Sequence, residues 1–173
     1  MYVITVGLIS AGGLTIEIVA GRMLAPYIGM SLYTWTAIIA VVLAGLSIGH
    51  WIGGRLADKS LKDLEFLIGC VLLLSSISAL ASLILLRLLS GPIMNLGMPP
   101  VPTITLLTFS LFFLPSFFIG IPSPILTKIG IERKRQNIGQ IVGLMYASGS
   151  VGGILGTLAA GYIFISWLGT INT

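Results

Sequence analysis

Charge is what this sequence has least of. Only 8% of its 173 residues are Asp, Glu, Lys or Arg, against about 25% in an ordinary soluble domain, so polar groups cannot cover a water-facing surface. One histidine, His50, and one cysteine, Cys70, exclude a zinc centre of the usual kind and any internal disulfide. Cys70 lies within an apolar run and carries no information about redox compartment. No strand leads into a Gly-rich phosphate loop with an acidic partner, and no nucleophile–base or paired-carboxylate constellation stands out. Neither a cofactor nor a reaction centre is expected. The first turns of the chain lack the basic stretch of a signal peptide and are soon followed by Glu17, so they read as a retained helix.

What is present is apolar. Hydrophobic residues make up 56% of the chain, in several runs near the roughly 20 residues that a helix needs to cross about 30 Å of hydrocarbon. The expected fold is an all-α, polytopic transmembrane helix bundle of about five spans, one unit over residues 1–173. The spans are placed at 2–24, 32–54, 65–88, 103–126 and 139–168. Pro26 and Gly29 close the first, and the polar stretch from Arg55 to Asp63 follows the second. Gly91-Pro92, Gly97 and Pro99-Pro100-Val101-Pro102 break the pattern after the third. Pro115, Pro122 and Pro124 interrupt the fourth, with Pro122-Ser123-Pro124 read as its inner end and Pro115 as a static kink in preference to a hinge.

The net charge of +4 does not point to nucleic acid, because the cations sit in short connections where membrane topology accounts for them. With the N-terminus cytoplasmic, the inner connections hold Arg55, Lys59, Lys62, Lys128, Arg133, Lys134 and Arg135, and the outer ones hold only Arg22 and Arg87. That bias predicts the N-terminus inside and the C-terminus outside, in the cell membrane. Transporter folds are commonly assembled from repeated helix sets, including six-helix halves, so an odd count suggests a sixth helix that is missing or supplied by a partner.

Two spans are patterned for close helix contact. Gly45, Gly49 and Gly53 recur at four-residue steps in the second, and Gly149, Gly153, Thr157 and Gly161 in the fifth, beside the stripe Ser148, Gly152, Gly156 and Ala160. Residues four apart share a helix face, and small residues let helices approach in lipid, where apolar side chains gain nothing by leaving the acyl tails. Packing within one bundle is the simpler reading; a homo-oligomer or partner-chain interface is the other.

Glu17 is the informative polar residue, because an ionisable group inside a span faces a cavity or a partner. Arg22 is five positions on, about 140° round the helix, and so is a poor same-face partner. Tyr33, Thr34, Trp35 and Thr36 begin the next span at a similar depth. Glu17, Arg22, Tyr33 and Trp35 therefore form a candidate cluster, read either as a structural ion pair with interfacial aromatics or as a cation site with Glu17 as counter-charge. A third reading leaves Glu17 simply solvated. His50 lies toward the other end of the second span and reads as a packing residue before a proton relay, with Tyr146 at a similar depth.

The stretch Glu17-Ile18-Val19-Ala20-Gly21-Arg22-Met23-Leu24-Ala25-Pro26-Tyr27-Ile28-Gly29, with Ser31, Tyr33, Thr34 and Trp35, then Gly53-Gly54-Arg55-Leu56-Ala57-Asp58-Lys59, resembles the membrane region of spermidine synthase-like proteins. Gly143 to Ala147, Gly152 to Thr157 and Leu168-Gly169-Thr170 add to the likeness. These polyamine aminopropyltransferase relatives carry a multi-helix, transporter-like region before a soluble catalytic domain. Separately, Gly54, Leu56, Asp58, Lys59 and Lys62 resemble the signature after helix two of major facilitator transporters, with Leu61 where glycine is frequent. That resemblance implies a half bundle of major facilitator type whose candidate gating loop contains Gly54, Asp58, Lys59 and Lys62. The nucleotide-type fold that would bind decarboxylated S-adenosylmethionine has no counterpart in these residues, so aminopropyl transfer is not implied. The expectation is a transporter-like module for polyamines or another small cation. Its rivals are a non-transporting anchor that recruits a soluble enzyme through Arg133, Lys134 and Arg135, and an enzyme completed by a partner chain.

Overall fold

Long apolar runs with polar residues only at their ends have one way to satisfy the backbone in lipid, which is internal helical hydrogen bonding. The computed structural model describes residues 2–58, 61–134 and 137–172, without the side chains at 61, 62, 134, 168, 171 and 172. Among the described residues every regular element is helical: α1 (Tyr2–Ile28), α2 (Leu32–Leu56), α3 (Leu61–Met94), α4 (Pro100–Gly120), α5 (Pro122–Lys134), α6 (Ile138–Ala159), a π-helical turn (Ala160–Phe164) and α7 (Ile165–Asn172). Five stretches are long and apolar enough to cross a membrane: Tyr2–Ile28, Leu32–Leu56, Asp63–Met94, Pro100–Arg133 and Ile138–Trp167. Large apolar side chains such as Phe66, Leu73, Ile77, Leu80 and Ile84 stand exposed along α3, a surface suited to acyl chains and not to water.

Local chemistry sets the helix ends. Gly29 adopts φ 71°, the left-handed conformation that ends a helix and that only glycine enters without strain, and its N–H still reaches the Ala25 carbonyl at 3.0 Å. Ser31 then caps α2: its Oγ accepts from the Thr34 N–H at 3.2 Å, satisfying one of the free donors of the first turn. The buried Thr34 hydroxyl donates to the Gly29 carbonyl at 3.1 Å, tying cap to turn. Pro100 and Pro102 stand in the first turn of α4, where no intrahelical donor is lost.

Three expected breaks are absent. Pro26 lies inside α1, which runs on to Ile28. Gly91 and Pro92 lie inside α3, which runs to Met94, because a proline in the final turn forfeits a single bond near the helix end. Pro122 likewise does not end the fourth span. Ile121 keeps right-handed helical angles and its N–H bonds to the Phe118 carbonyl three residues back at 3.3 Å, so the chain bends and continues as α5 to Lys134. Pro115 is accommodated within α4, where the buried Ser75 hydroxyl donates to its carbonyl at 3.3 Å. Conversely, the expected fifth span is regular only to Ala159, after which the helix widens into the π-turn.

Packing falls into two groups. α2 packs most extensively on α4, which also carries α3, and α1 packs on α6. The α2–α4 seam is built on glycine. A Cβ on Gly45 would stand 2.8 Å from the Phe113 carbonyl oxygen, and Cβ atoms on Gly49 and Gly53 would overlap the carbonyl oxygens of Phe117 and Ile121. Gly120 answers from the other side, 2.7 Å from the Leu46 carbonyl oxygen by the same construction. On α6 the tight stripe is Gly152 and Gly156, set against the backbone of Gly7 and Ala11. Gly149 and Gly153 meet only the side chains of Ser10, Val6 and Leu14, and Gly161, in the π-turn, has open space around it. Hydroxyls reinforce the α1–α6 seam: Ser148 donates to the Val3 carbonyl, and Thr15 to the Gly156 carbonyl at 3.3 Å.

Two buried clusters result. One, including Leu64, Ile68, Ile125, Ile129 and Ile141, lies toward the end of the bundle where the basic connections gather, here termed the basic end. The other, including Leu24, Ile38, Leu107, Leu111 and Phe112, lies toward the far end. α5 touches α1, α2, α3 and α6 and joins the two groups at the basic end. α2 and α6 do not pack against each other to any extent.

Candidate functional site

The gap between α2 and α6 is a cavity of about 1020 Å³, walled by α1, α2, the α4–α5 bend and α6. Ile9, Val42, Leu46, Ile119 and Met145 make most of its lining apolar. The lining also includes the polar residues Ser10, Ser116, Ser150, Thr157 and His50. Ser123, Pro124 and Thr127, just past the break between α4 and α5, line the cavity as well. Tyr146 lines the cavity yet is 76% exposed, and His50, Gly54 and Ser150 are exposed as well. The cavity therefore opens along the seam between α2 and α6, where a water-filled groove or a bound molecule can satisfy these polar groups and an acyl chain cannot.

Ion pairs cluster at the basic end. Lys128 Nζ lies 3.5 Å from Asp58 Oδ1 and 3.6 Å from Glu132 Oε1, one helical turn away on α5. Asp58 and Lys128 both border the cavity. Arg133 donates to Glu65 Oε1 at 2.9 Å, and its guanidinium carbon stands 5.0 Å from the centre of the Tyr2 ring. α5 is thereby fastened to α1, α3 and the connection after α2 through exposed or half-exposed charges, each such pair contributing at most about 1 kcal/mol. Arg55 instead lies over the Trp51 ring at 3.9 Å.

The candidate residues distribute unevenly over this geometry. Of the candidate gating loop, Gly54 and Asp58 line the cavity; Lys59 and the side chain of Lys62 lie outside the described residues. The candidate outer cluster does not converge as a set. Trp35 lies against α1, its ring 3.0 Å from where a Cβ on Gly21 would stand, one turn from Glu17. Tyr33 and Arg22 are exposed, and no ion pair joins Glu17 to Arg22 among the described residues. Glu17 is partly buried and stands on the α1 stripe that includes Gly13, whose nearest neighbour across the interface is Ile119 of α4. His50 and Tyr146 both border the cavity without a hydrogen bond between them among the described residues.

Ser10, Ser116, Ser150, Thr157 and Lys128 were not singled out as site residues from sequence. A signal existed for some of them: Ser10 and Glu17, and Ser150 and Thr157, are each seven residues apart, which places each pair on one helix face. No sequence signal marked Ser116, which is buried within α4.

Five candidate membrane-crossing helices, four of them walling an open cavity, make up the helix bundle. Comparison with known proteins adds a relationship. The chain is 24% identical over 177 aligned positions to polyamine aminopropyltransferase 2 and, equally, to polyamine aminopropyltransferase 1 of Ralstonia nicotianae. Each alignment takes in all of this chain but only 32% and 31% of those proteins, so the chain spans about a third of the length of the curated relatives it matches. No family model and no solved structure matches it.

Proposed function

We propose that the chain is a transporter-like integral membrane module of major facilitator-like half-bundle type that accepts a small organic cation, a polyamine foremost. The observation that carries this reading is the cavity of about 1020 Å³, walled by four of the five candidate spans and supplied with hydroxyl acceptors in an apolar setting. A polyamine alternates ammonium groups with methylene segments, and such a wall offers acceptors to the one and apolar surface to the other. The substrate class comes from the printed names of the relatives. The proposed orientation puts the basic end, with the N-terminus and the Asp58–Lys128 pair at the cavity mouth, on the cytoplasmic side of the cell membrane.

A second reading draws on the relatives themselves, named as enzymes and about three times as long as the matched region. On that reading the bundle anchors or assembles an enzyme at the cytoplasmic face and moves nothing, alone, as a homo-oligomer or beside a partner membrane chain. In neither reading does the bundle itself perform chemistry.

Purified protein in liposomes, assayed for uptake of radiolabelled spermidine, separates the two. The transport reading expects uptake that Ser150→Trp lowers, because an indole at that position obstructs part of the cavity opening. Absence of both uptake and binding by the unmodified protein rejects transport. The anchor reading then expects co-purification of a soluble enzyme that is lost when Arg133, Lys134 and Arg135 are neutralised together.

A further inference from the structure

Five of the cavity-lining residues of α1 are Val6, Ile9, Ser10, Gly13 and Ile16. At 100° per residue Glu17 falls within about 40° of Val6, Ser10 and Gly13, on the same side of the helix. It stands one turn beyond Gly13, about 6 Å along the axis toward the far end. Helical side chains lean toward the N-terminus of their helix, so the Glu17 side chain leans back over Gly13, which has no side chain to block it and whose nearest neighbour across the interface is 3.6 Å from an ideal Cβ. Beyond Glu17 the interior closes: Trp35 fills the space at Gly21, and Ala20 and Leu24 are fully buried. Glu17 follows directly on Ile16, the last lining residue of α1, and stands just past the lining; no ion pair or hydrogen bond engages its carboxylate among the described residues.

The charged and titratable groups around it leave it without a built-in counter-ion. α2 contributes His50 near the mouth, with Asp58 beyond its end, and the exposed Tyr33 at its start. α5 contributes Lys128, already held by Asp58 and Glu132. α6 contributes Tyr146 at the rim and the π-turn the exposed Tyr162, α4 has no titratable residue, and Arg22 faces about 140° away on α1. A carboxylate inside a span with no partner must be neutralised by a proton or a bound cation. We infer that Glu17 exchanges one for the other: an organic cation entering from the mouth ends its path at Glu17 and displaces a proton from it, so that cation binding and protonation compete. This inference rests on the cavity accepting a cation.

The experiment measures spermidine binding and proton release together, by calorimetry in buffers of differing ionisation enthalpy, on the full chain in detergent across a range of pH. The expected result is tighter binding as pH rises, by up to about tenfold per pH unit where the carboxyl titrates, with a proton release on binding that vanishes in Glu17→Gln. Binding without proton release, release that persists in Glu17→Gln, or release that disappears instead in His50→Gln overturns the exchange and leaves the cavity reading standing. Absence of spermidine binding by the unmodified chain overturns both. If Glu17→Gln does not fold, dicyclohexylcarbodiimide labelling of the unmodified chain decides: Glu17 is labelled and spermidine protects it if the exchange is correct, and unprotected or absent labelling refutes it.

Discussion

Replacing Gly49 with alanine should damage this protein far more than one added methyl group suggests. At an open position in a helix, Gly→Ala is favourable by about 1 kcal/mol through backbone entropy. At Gly49 the new methyl would fall on the Phe117 carbonyl oxygen and 3.1 Å from the Gly120 Cα. Both obstacles are backbone, so no rotamer change relieves them and α2 must move away from α4 along the seam that Gly45, Gly49 and Gly53 share. Overpacking of this kind costs about 1–3 kcal/mol, and separating the helices also sacrifices dispersion contacts on which association in lipid relies. Taking the upper end because only rigid-body motion helps, the net loss is about 2 kcal/mol. The assay is thermal unfolding in detergent, followed with a thiol-reactive dye on Cys70, the single cysteine, which is partly buried when folded. Gly12→Ala is the matched comparison, since nothing lies within 4 Å of a Cβ there, and it should melt with the unmodified protein or slightly above it. A Gly49→Ala protein that melts as high as the Gly12→Ala protein would refute the proposed seam.

Ser31→Ala removes the acceptor for the Thr34 N–H and should cost about 1 kcal/mol, read in the same melt; a loss near zero would mean that the turn, not the cap, fixes the start of α2. The Asp58–Lys128 pair should show a coupling energy below about 1 kcal/mol in a double-mutant cycle, shrinking with added salt, because Asp58 is 88% exposed. A larger, salt-insensitive coupling would identify it as a closed latch at the cavity mouth.

The number and approximate limits of the spans are legible in the sequence because length and apolarity alone decide whether a helix suits a bilayer. Pro122 and Pro92 show where local reading stops: proline removes one donor, and whether the chain ends or merely bends there depends on neighbouring bonds such as Ile121 N–H to the Phe118 carbonyl. The glycine stripes announce close contact but not the partner. Periodicity fixes a face, whereas the pairing of Gly49 with Phe117, or of Gly152 with Gly7, is a property of the assembled bundle. On α6 two adjacent stripes compete, and backbone approach occurs at Gly152 and Gly156, while Gly161 falls in the π-turn. Glu17 stands out from composition alone; the hydroxyls of the cavity lining do not, since Ser and Thr are common in spans and bond to their own helix, as Thr108 does to the Ile104 carbonyl.

The central claim is that this apolar bundle holds a cavity that water can enter between α2 and α6. Single cysteines introduced in a Cys70→Ser background and reconstituted in lipid test it through their rate of reaction with a charged methanethiosulfonate. Ser150→Cys and Ser10→Cys should react quickly, while Leu80→Cys, on the exposed apolar face of α3, stays unmodified. A Ser150→Cys protein as inert as the Leu80→Cys protein would show that the groove is sealed by lipid or by another chain, and would contradict the account.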